Sequence, residues 1–254
     1  MSVVGPSGVL VVTGTGTGVG KTVATAAIAS LALAAGRRVA VVKPAQTGVA
    51  DGEPGDVDEI ISLVGLPRSD AYELARFTAP LAPASAARLA GVPPLDVAVA
   101  AERVSRLAAS YDLVLVEGSG GLLVRFDDSG DGGRATTMAS LAGLLAAPVL
   151  VVAAPGLGTL NQTALTLEAL DHRHLQLAGV VVGAWPAEPD LATRSNVADL
   201  ETLAGRPLSG VLPQGMGALA FADFRLAAGV GLGRELGGRF HAADFRREHV
   251  PGRQ

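Results

Sequence analysis

Six short apolar runs punctuate this chain, and their failure to alternate with polar residues limits what it can fold into. Val9–Thr13, Arg38–Val42, Leu113–Glu117, Val149–Ala153, Gly179–Val182 and Pro207–Val211 are mostly valine-rich. A strand with one wetted face alternates apolar and polar residues, whereas a strand covered on both faces does not. Helix-length stretches separate the runs, at Thr22–Ala35, Leu95–Ser110, Thr137–Ala146, Leu160–Ala169 and Asp190–Ala204. Strands alternating with helices of this length predict right-handed βαβ units. The expected fold is α/β, a doubly wound and mostly parallel sheet, as a single domain over residues 1–254. With 49% apolar and 17% charged residues the chain can fill such a core. No linker or internal repeat divides it. Residues 49–56 and 125–135, rich in Gly, Asp and Glu, are expected to be mobile loops bordering a ligand site. Arg225–Gln254 has scattered glycines and charges, gives no element, and is expected to end in disorder.

Composition removes several classes of function. A net charge of −4 argues against a nucleic-acid footprint. Without cysteine there is no disulfide framework, thiolate metal site or thiol nucleophile. His172, His174, His241 and His249 show no ligand spacing. No basic stretch precedes an apolar one at the N-terminus, so no signal peptide is expected. The longest small-apolar run, Val23 to Ala35, is shorter than the roughly 20 residues a membrane span needs. A cytoplasmic protein without membrane or nucleic-acid partners is the expectation.

Of 20 lysines and arginines, only Lys21 and Lys43 are lysine, and both lie in loops suited to phosphate. Lys21 belongs to Thr13-Gly-Thr-Gly-Thr-Gly-Val-Gly-Lys-Thr22, which follows the first strand and opens a helix. Glycines let successive backbone N–H groups approach an anion, and the helix N-terminus adds partial positive charge. Lys21 would reach the β- and γ-phosphates and the Thr22 hydroxyl would ligate Mg²⁺. The usual P-loop pattern asks for glycine where this chain has Thr15, with Gly14 one place early. Strand, glycines, Lys-Thr and helix nonetheless make a P-loop NTPase-like start. A P-loop needs an opposing carboxylate for magnesium, and Glu117 ends an apolar strand. Gly118, Ser119, Gly120 and Gly121 follow it and allow close backbone approach to a phosphate or substrate. Lys43, at the end of the second run, would face the γ-phosphate.

Together these motifs resemble dethiobiotin synthetases over about residues 8 to 224. The resemblance rests on the P-loop, Lys43-Pro-Ala-Gln-Thr-Gly48, Val116-Glu-Gly-Ser-Gly-Gly121 and Gly156-Leu-Gly-Thr-Leu-Asn-Gln162, in that order. It leaves 225–254 as a C-terminal extension without a role. It implies an ATP- and Mg²⁺-dependent ligase of biotin synthesis, converting 7,8-diaminononanoate and carbon dioxide to dethiobiotin with release of ADP and phosphate. It also implies a homodimer with substrate at the interface. By this resemblance Lys21 and Lys43 flank the transferring phosphoryl group, and Gly18, Val19, Gly20, Lys21, Thr22, Val23, Glu117, Gly118, Ser119 and Gly120 hold the nucleotide. Thr22, Asp56 and Glu117 hold magnesium, with Asp58 the rival of Asp56. Thr47 and Gly120 contact substrate, and Gly156, Leu157, Thr159, Leu160 and Asn161 place a helix start against its carboxylate across the dimer. Leu212, Pro213 and Gln214 line the base pocket with Gly183.

Two departures stand out. Gly183 replaces an asparagine that reads adenine in many relatives, so nucleotide choice should be relaxed. Ser140 stands where relatives often carry aspartate. A second reading is a partitioning-type or iron–sulfur-assembly switch ATPase of the same fold. Those proteins carry a lysine five places before the P-loop lysine, and here that place is Gly16.

Overall fold

A computed structural model describes residues 5–128 and 135–250. In chain order the elements are β1 (Gly8–Gly14), α1 (Lys21–Ala34), β2 (Val39–Lys43), β3 (Gln46–Thr47), α2 (Asp56–Val64), β4 (Ala71–Glu73), β5 (Arg76–Phe77), α3 (Pro83–Ala90), α4 (Val97–Ala108) and β6 (Leu113–Gly121). Then come β7 (Arg125–Asp127), β8 (Thr136–Thr137), α5 (Met138–Leu144), β9 (Val149–Ala153), α6 (Thr159–Asp171), β10 (Leu177–Trp185), α7 (Leu191–Ala204), β11 (Gly210–Pro213), α8 (Phe221–Gly231) and α9 (Ala242–His249).

Seven strands form one parallel sheet in the order β11-β10-β9-β1-β6-β2-β4. The valine runs do not alternate because both faces are covered. Val11 faces a core shared with α4, α5 and α7, while Leu10 and Val12 face one shared with α1, α2 and α8. Each fully buried Val or Leu contributes about 1.5–3 kcal/mol. On the α1 side, Ala24, Ala26, Ala27 and Ala29 let the helix sit close to the sheet. β1 lies between β6 and β9, so its carboxyl end is where the strand order turns back, and ligands of such sheets bind there.

The six expected strands and five expected helices are all present, within a few residues at their ends. Four helices were not expected. In α2, Val57, Ile60, Leu63 and Val64 are buried at helical spacing, but its acidic first turn reads as more of the preceding loop. The resemblance, which ran to about residue 224, stops inside α8, where Phe224 and Ala228 are buried, and Leu232 and Leu236 beyond it join the same core. In α9, the Phe245 ring lies 5.0 Å from that of Trp185 on β10. Residues 225–250 are therefore part of the packed fold. The expected loop at 125–135 includes β7, and its residues 129–134 lie outside the described residues, as do 251–254 of the expected disordered end. Ser140 has a structural role: its hydroxyl accepts the Thr137 N–H at 3.1 Å and caps α5.

Gly183 has a packing role that the sequence did not announce. A Cβ there would lie 2.1 Å from the Val19 carbonyl oxygen of the P-loop and 2.6 Å from Val152 Cγ1. Gly20, at φ +94°, faces it in return: a Cβ on Gly20 would lie 2.5 Å from the Gly183 carbonyl oxygen. Backbone cannot rotate aside, so Gly183→Ala should cost about 1–3 kcal/mol or more. It should lower both the melting temperature and nucleotide affinity. Thermal unfolding and a nucleotide titration check this, and an alanine variant unchanged in both would contradict the packing.

Candidate active site

The P-loop connects β1 to α1 at the carboxyl edge of the sheet. Lys21 is buried, and its Nζ donates to the Gly16 carbonyl at 2.8 Å. Gly18 and Gly20 both have positive φ, which lets the backbone fold tightly ahead of the helix. The ammonium is thus held over its own loop, close to where a phosphate chain would lie.

Opposite it, β6 delivers Glu117 and β2 delivers Lys43, 1% and 3% exposed respectively. Lys43 Nζ donates to Glu117 Oε1 at 2.9 Å and to the Gly118 carbonyl at 3.2 Å, and it forms a close ion pair with Asp56. The Thr22 hydroxyl donates to the same Glu117 oxygen at 3.0 Å. Burial works against the Lys43 charge, but the Glu117 and Asp56 carboxylates outweigh it and hold the ammonium above its ordinary value. Asp56 is the mirror case: burial would raise it, and the Lys43 charge and hydrogen bond bring it below the usual carboxylate range. Lys21 is held below the ordinary lysine value by burial and then by the nearby Lys43 charge. A triphosphate would reverse that penalty.

Among the described residues, no group of three or more His, Cys, Asp or Glu side chains is placed to hold a metal. The magnesium ligands expected from the resemblance are fewer: Asp56, Glu117 and the Thr22 hydroxyl. They fit this ion, which takes one or two carboxylates and completes its octahedron with phosphate oxygens and water. Glu117 Oε2 is buried without a hydrogen-bond partner, and an anionic oxygen so placed calls for a cation.

The first turn of α2 separates Asp56 from its rival. Asp58 folds back to accept the Gly55 N–H at 2.8 Å, capping the helix, while Asp56 reaches Lys43. Gln46 and Arg76 hold this helix start in place. Gln46, itself buried, accepts the Asp56 N–H at 3.0 Å. Arg76 donates to the carbonyls of Ala50 (2.9 Å) and Glu53 (2.8 Å) and is gripped by Glu73 at 2.6 Å. This guanidinium pins residues 50 and 53, just ahead of the helix start, an arrangement that local sequence does not reveal. Arg76→Ala should leave the fold intact and raise the Mg²⁺ concentration for half-maximal rate several-fold, because Asp56 loses its fixed position. An unchanged magnesium titration would show that Asp56 is placed without it.

A cleft of about 880 Å³ opens over these groups. Its lining includes Gly18, Gly20, Lys21, Thr22, Val23, Lys43, Gln46, Thr47, Asp56, Glu59, Glu117, Ser119 and Gly120, with Pro80, Leu81, Pro83 and Val124 as apolar walls. Thr47 and Gly120 therefore share one cleft with both lysines. Val19 packs on Gly183, and Gly118 offers its carbonyl to Lys43. Gly183 and Leu212–Gln214 lie outside the lining, at the ends of β10 and β11. Leu212 is fully buried, Pro213 has no N–H, and the Gln214 N–H donates to the Trp185 carbonyl at 2.7 Å. Gly156, Leu157, Thr159, Leu160 and Asn161 also lie outside it, at the start of α6. That loop is held by Asn196, whose Nδ2 donates to the Pro155 and Gly156 carbonyls at 2.9 and 3.0 Å. Leu157 at its tip is 93% exposed.

A family described as an AAA domain matches residues 8–216. An ATP-dependent dethiobiotin synthetase of Parafrankia sp. is 58% identical over 242 residues, covering 95% of this chain and 99% of its own. One from Frankia casuarinae is 60% identical over 237 residues, covering 93% and 97%, and one from Streptomyces avermitilis is 56% identical over 243, covering 96% and 99%. Among solved structures, MinD of Pyrococcus horikoshii with Mg-ADP aligns with a TM-score of 0.53 at 17% identity, covering 90% of this chain and 93% of that one. A ParA family ATPase from Chlorobium tepidum aligns with a TM-score of 0.50 at 15% identity, covering 90% of each chain. That likeness shows a P-loop NTPase fold and nothing further, so the switch-ATPase reading retains only a shared architecture. By near-full-length identity to its relatives, the chain belongs to the ATP-dependent dethiobiotin synthetase family.

Proposed function

We propose that this chain closes the ring of dethiobiotin from 7,8-diaminononanoate, carbon dioxide and a nucleoside triphosphate in the cleft between the P-loop and β6. As a member of its family it is an ATP-dependent ligase. The observation that carries the finer reading is the meeting of Lys21, Thr22, Lys43, Asp56 and Glu117 in one cleft with apolar walls. The walls suit an aliphatic diamine, and the charged groups suit a phosphoryl transfer.

One substrate amine adds to carbon dioxide and loses a proton, giving a carbamate. A carbamate oxygen attacks the γ-phosphorus, the β–γ bridge breaks, and a carbamic–phosphoric anhydride and nucleoside diphosphate result. The second amine attacks the anhydride carbon and loses a proton, closing the cyclic urea and expelling phosphate. No protein nucleophile takes part. Lys21 and Lys43 neutralise charge on the transferring group and hold it in line with the carbamate, which is where positioning and electrostatics lower a barrier. Thr47 and Gly120 bind the diamine. Thr22, Asp56 and Glu117 would hold Mg²⁺, which when bound neutralises charge on the β- and γ-phosphates.

Incubation with diaminononanoate, bicarbonate, Mg²⁺ and each nucleoside triphosphate tests this by the yield of dethiobiotin, nucleoside diphosphate and phosphate. Equal amounts of the three are expected. Nucleotide bound without any dethiobiotin would overturn the assignment. The same assay reads base choice. With no side-chain amide at Gly183, and with backbone N–H groups absent at Pro213 and spent at Gln214, the backbone groups offered to a base there are carbonyl acceptors. Adenine and cytosine both present an amino donor, so a cytidine nucleotide should support turnover at a readily measured fraction of the ATP rate. A preference for ATP above a thousandfold in kcat/KM would contradict this, since such ratios need a dedicated hydrogen-bonding site.

The α6 start does not join the cleft of its own chain, and its exposed Leu157 supports burial against a second copy, a homodimer with the substrate carboxylate at that helix N-terminus. N–H groups there and the helix dipole favour an anion. Thr159→Pro should raise KM for diaminononanoate much more than KM for nucleotide. Equal effects, or a fully active monomer by light scattering, would remove the interface site.

A further inference from the structure

The acids of α2 divide their tasks unevenly. Asp56 meets Lys43 and Asp58 caps the helix, whereas Glu59, one turn beyond Asp56, also lines the cleft, and its carboxylate has no hydrogen bond or ion pair among the described residues. Its carboxylate approaches a second element. A Cβ on Gly217 would lie 3.3 Å from Glu59 Oε1 and 3.4 Å from Val23 Cγ2. Three parts of the chain therefore converge at one point: α2, the residue after Thr22, and the 3₁₀ turn Met216–Ala218 that follows β11. Glycine at 217 leaves the point open.

We propose that Glu59 is the group that recognises the sugar of the nucleotide, its carboxylate accepting a hydrogen bond from a ribose hydroxyl. This rests on the reading of the cleft given above. A nucleotide with its phosphates at Lys21 and Thr22 and its base near the end of β11 must pass its sugar between them, beside Val23 and Gly217. The donors a ribose offers are its 2′ and 3′ hydroxyls. An ionised carboxylate accepts and cannot donate, which matches them, and acids recognise ribose hydroxyls in the same way in other nucleotide folds. Glu59 would be a specificity-determining residue, favouring ribonucleotides over deoxynucleotides.

The test compares ATP, 2′-deoxy-ATP and 3′-deoxy-ATP on the full chain, as binding affinity and kcat/KM, in wild type, Glu59→Ala and Glu59→Gln. A hydrogen bond to a charged group predicts that wild type disfavours at least one deoxy analogue by roughly tenfold to a hundredfold. Glu59→Ala should lose that factor on ATP and bind all three nucleotides alike. Glu59→Gln, whose amide oxygen still accepts, should keep part of the preference. The magnesium titration should be the same in all three proteins. Wild type indifferent to the sugar, an alanine variant that keeps the preference, or a shifted magnesium requirement with unchanged sugar choice would each overturn the proposal. If wild type binds no nucleotide at all, the reading of the cleft falls and the inference falls with it.

Discussion

Lys43→Met is expected to abolish turnover and to destabilise the folded chain at the same time. The methionine fills a similar volume but leaves Glu117 buried and Asp56 half-buried, facing each other without a cation. Removing one partner of a buried ion pair costs about 3–5 kcal/mol. The pH dependence should change sign as well. In wild type the Lys43 ammonium is held above its ordinary value, so its contribution is complete at neutral pH and is lost only as pH rises through that raised value. Asp56 is held below its ordinary value, so its contribution is present above the normal carboxylate range and is lost as pH falls through the lowered value. Without Lys43 the buried carboxylates favour protonation, so the variant should gain stability on mild acidification where wild type gains none. Mg²⁺ should restore part of the loss at neutral pH. Denaturant unfolding across pH, with and without Mg²⁺, measures this. A variant as stable as wild type, or one that weakens with acid in parallel with it, would show that the three side chains are not coupled as described.

Lys21→Arg is the second large effect. The ammonium fits inside its own loop, against the Gly16 carbonyl, and a planar guanidinium is larger and cannot follow one phosphate oxygen as a point charge. Turnover should fall by about a hundredfold, the usual cost of losing one charge-stabilising donor. The pH profile adds a second readout. Burial and Lys43 hold Lys21 below the ordinary lysine value in the free enzyme. The charged form binds the triphosphate, so kcat/KM for nucleotide should be flat below that lowered value and decline as pH rises through it, earlier than an ordinary lysine would dictate. The arginine variant should lack this alkaline limb. More than half of wild-type turnover in the variant would remove Lys21 from the site.

Much of the fold was legible because valine runs with both faces covered are a strong local pattern, and the P-loop and Glu117 sit at strand ends that this pattern fixes. Where legibility stopped, the deciding contact lay elsewhere in the chain. Nothing near Lys43 announces that its partner is Glu117, 74 residues away. The choice between Asp56 and Asp58 depended on α2, whose acidic first turn hid a buried stripe of Val57, Ile60, Leu63 and Val64. That stripe was present in the sequence at helical spacing. The clamp of Arg76 on residues 50 and 53 was not, since an arginine after a short strand resembles any other surface charge. The missing side-chain amide at Gly183 was visible in the sequence; that the P-loop rests on this glycine was not.

Attack of a carbamate oxygen on the γ-phosphate in this cleft is the step on which the proposed activity depends. A single turnover with ¹⁸O-labelled carbon dioxide, diaminononanoate, Mg²⁺ and ATP, followed by mass analysis of the released phosphate, tests that step directly. Ring closure expels the phosphate with the oxygen that joined it to the carbamate carbon, so one labelled oxygen should appear in each phosphate formed. Phosphate released without label, while dethiobiotin accumulates, would contradict the account.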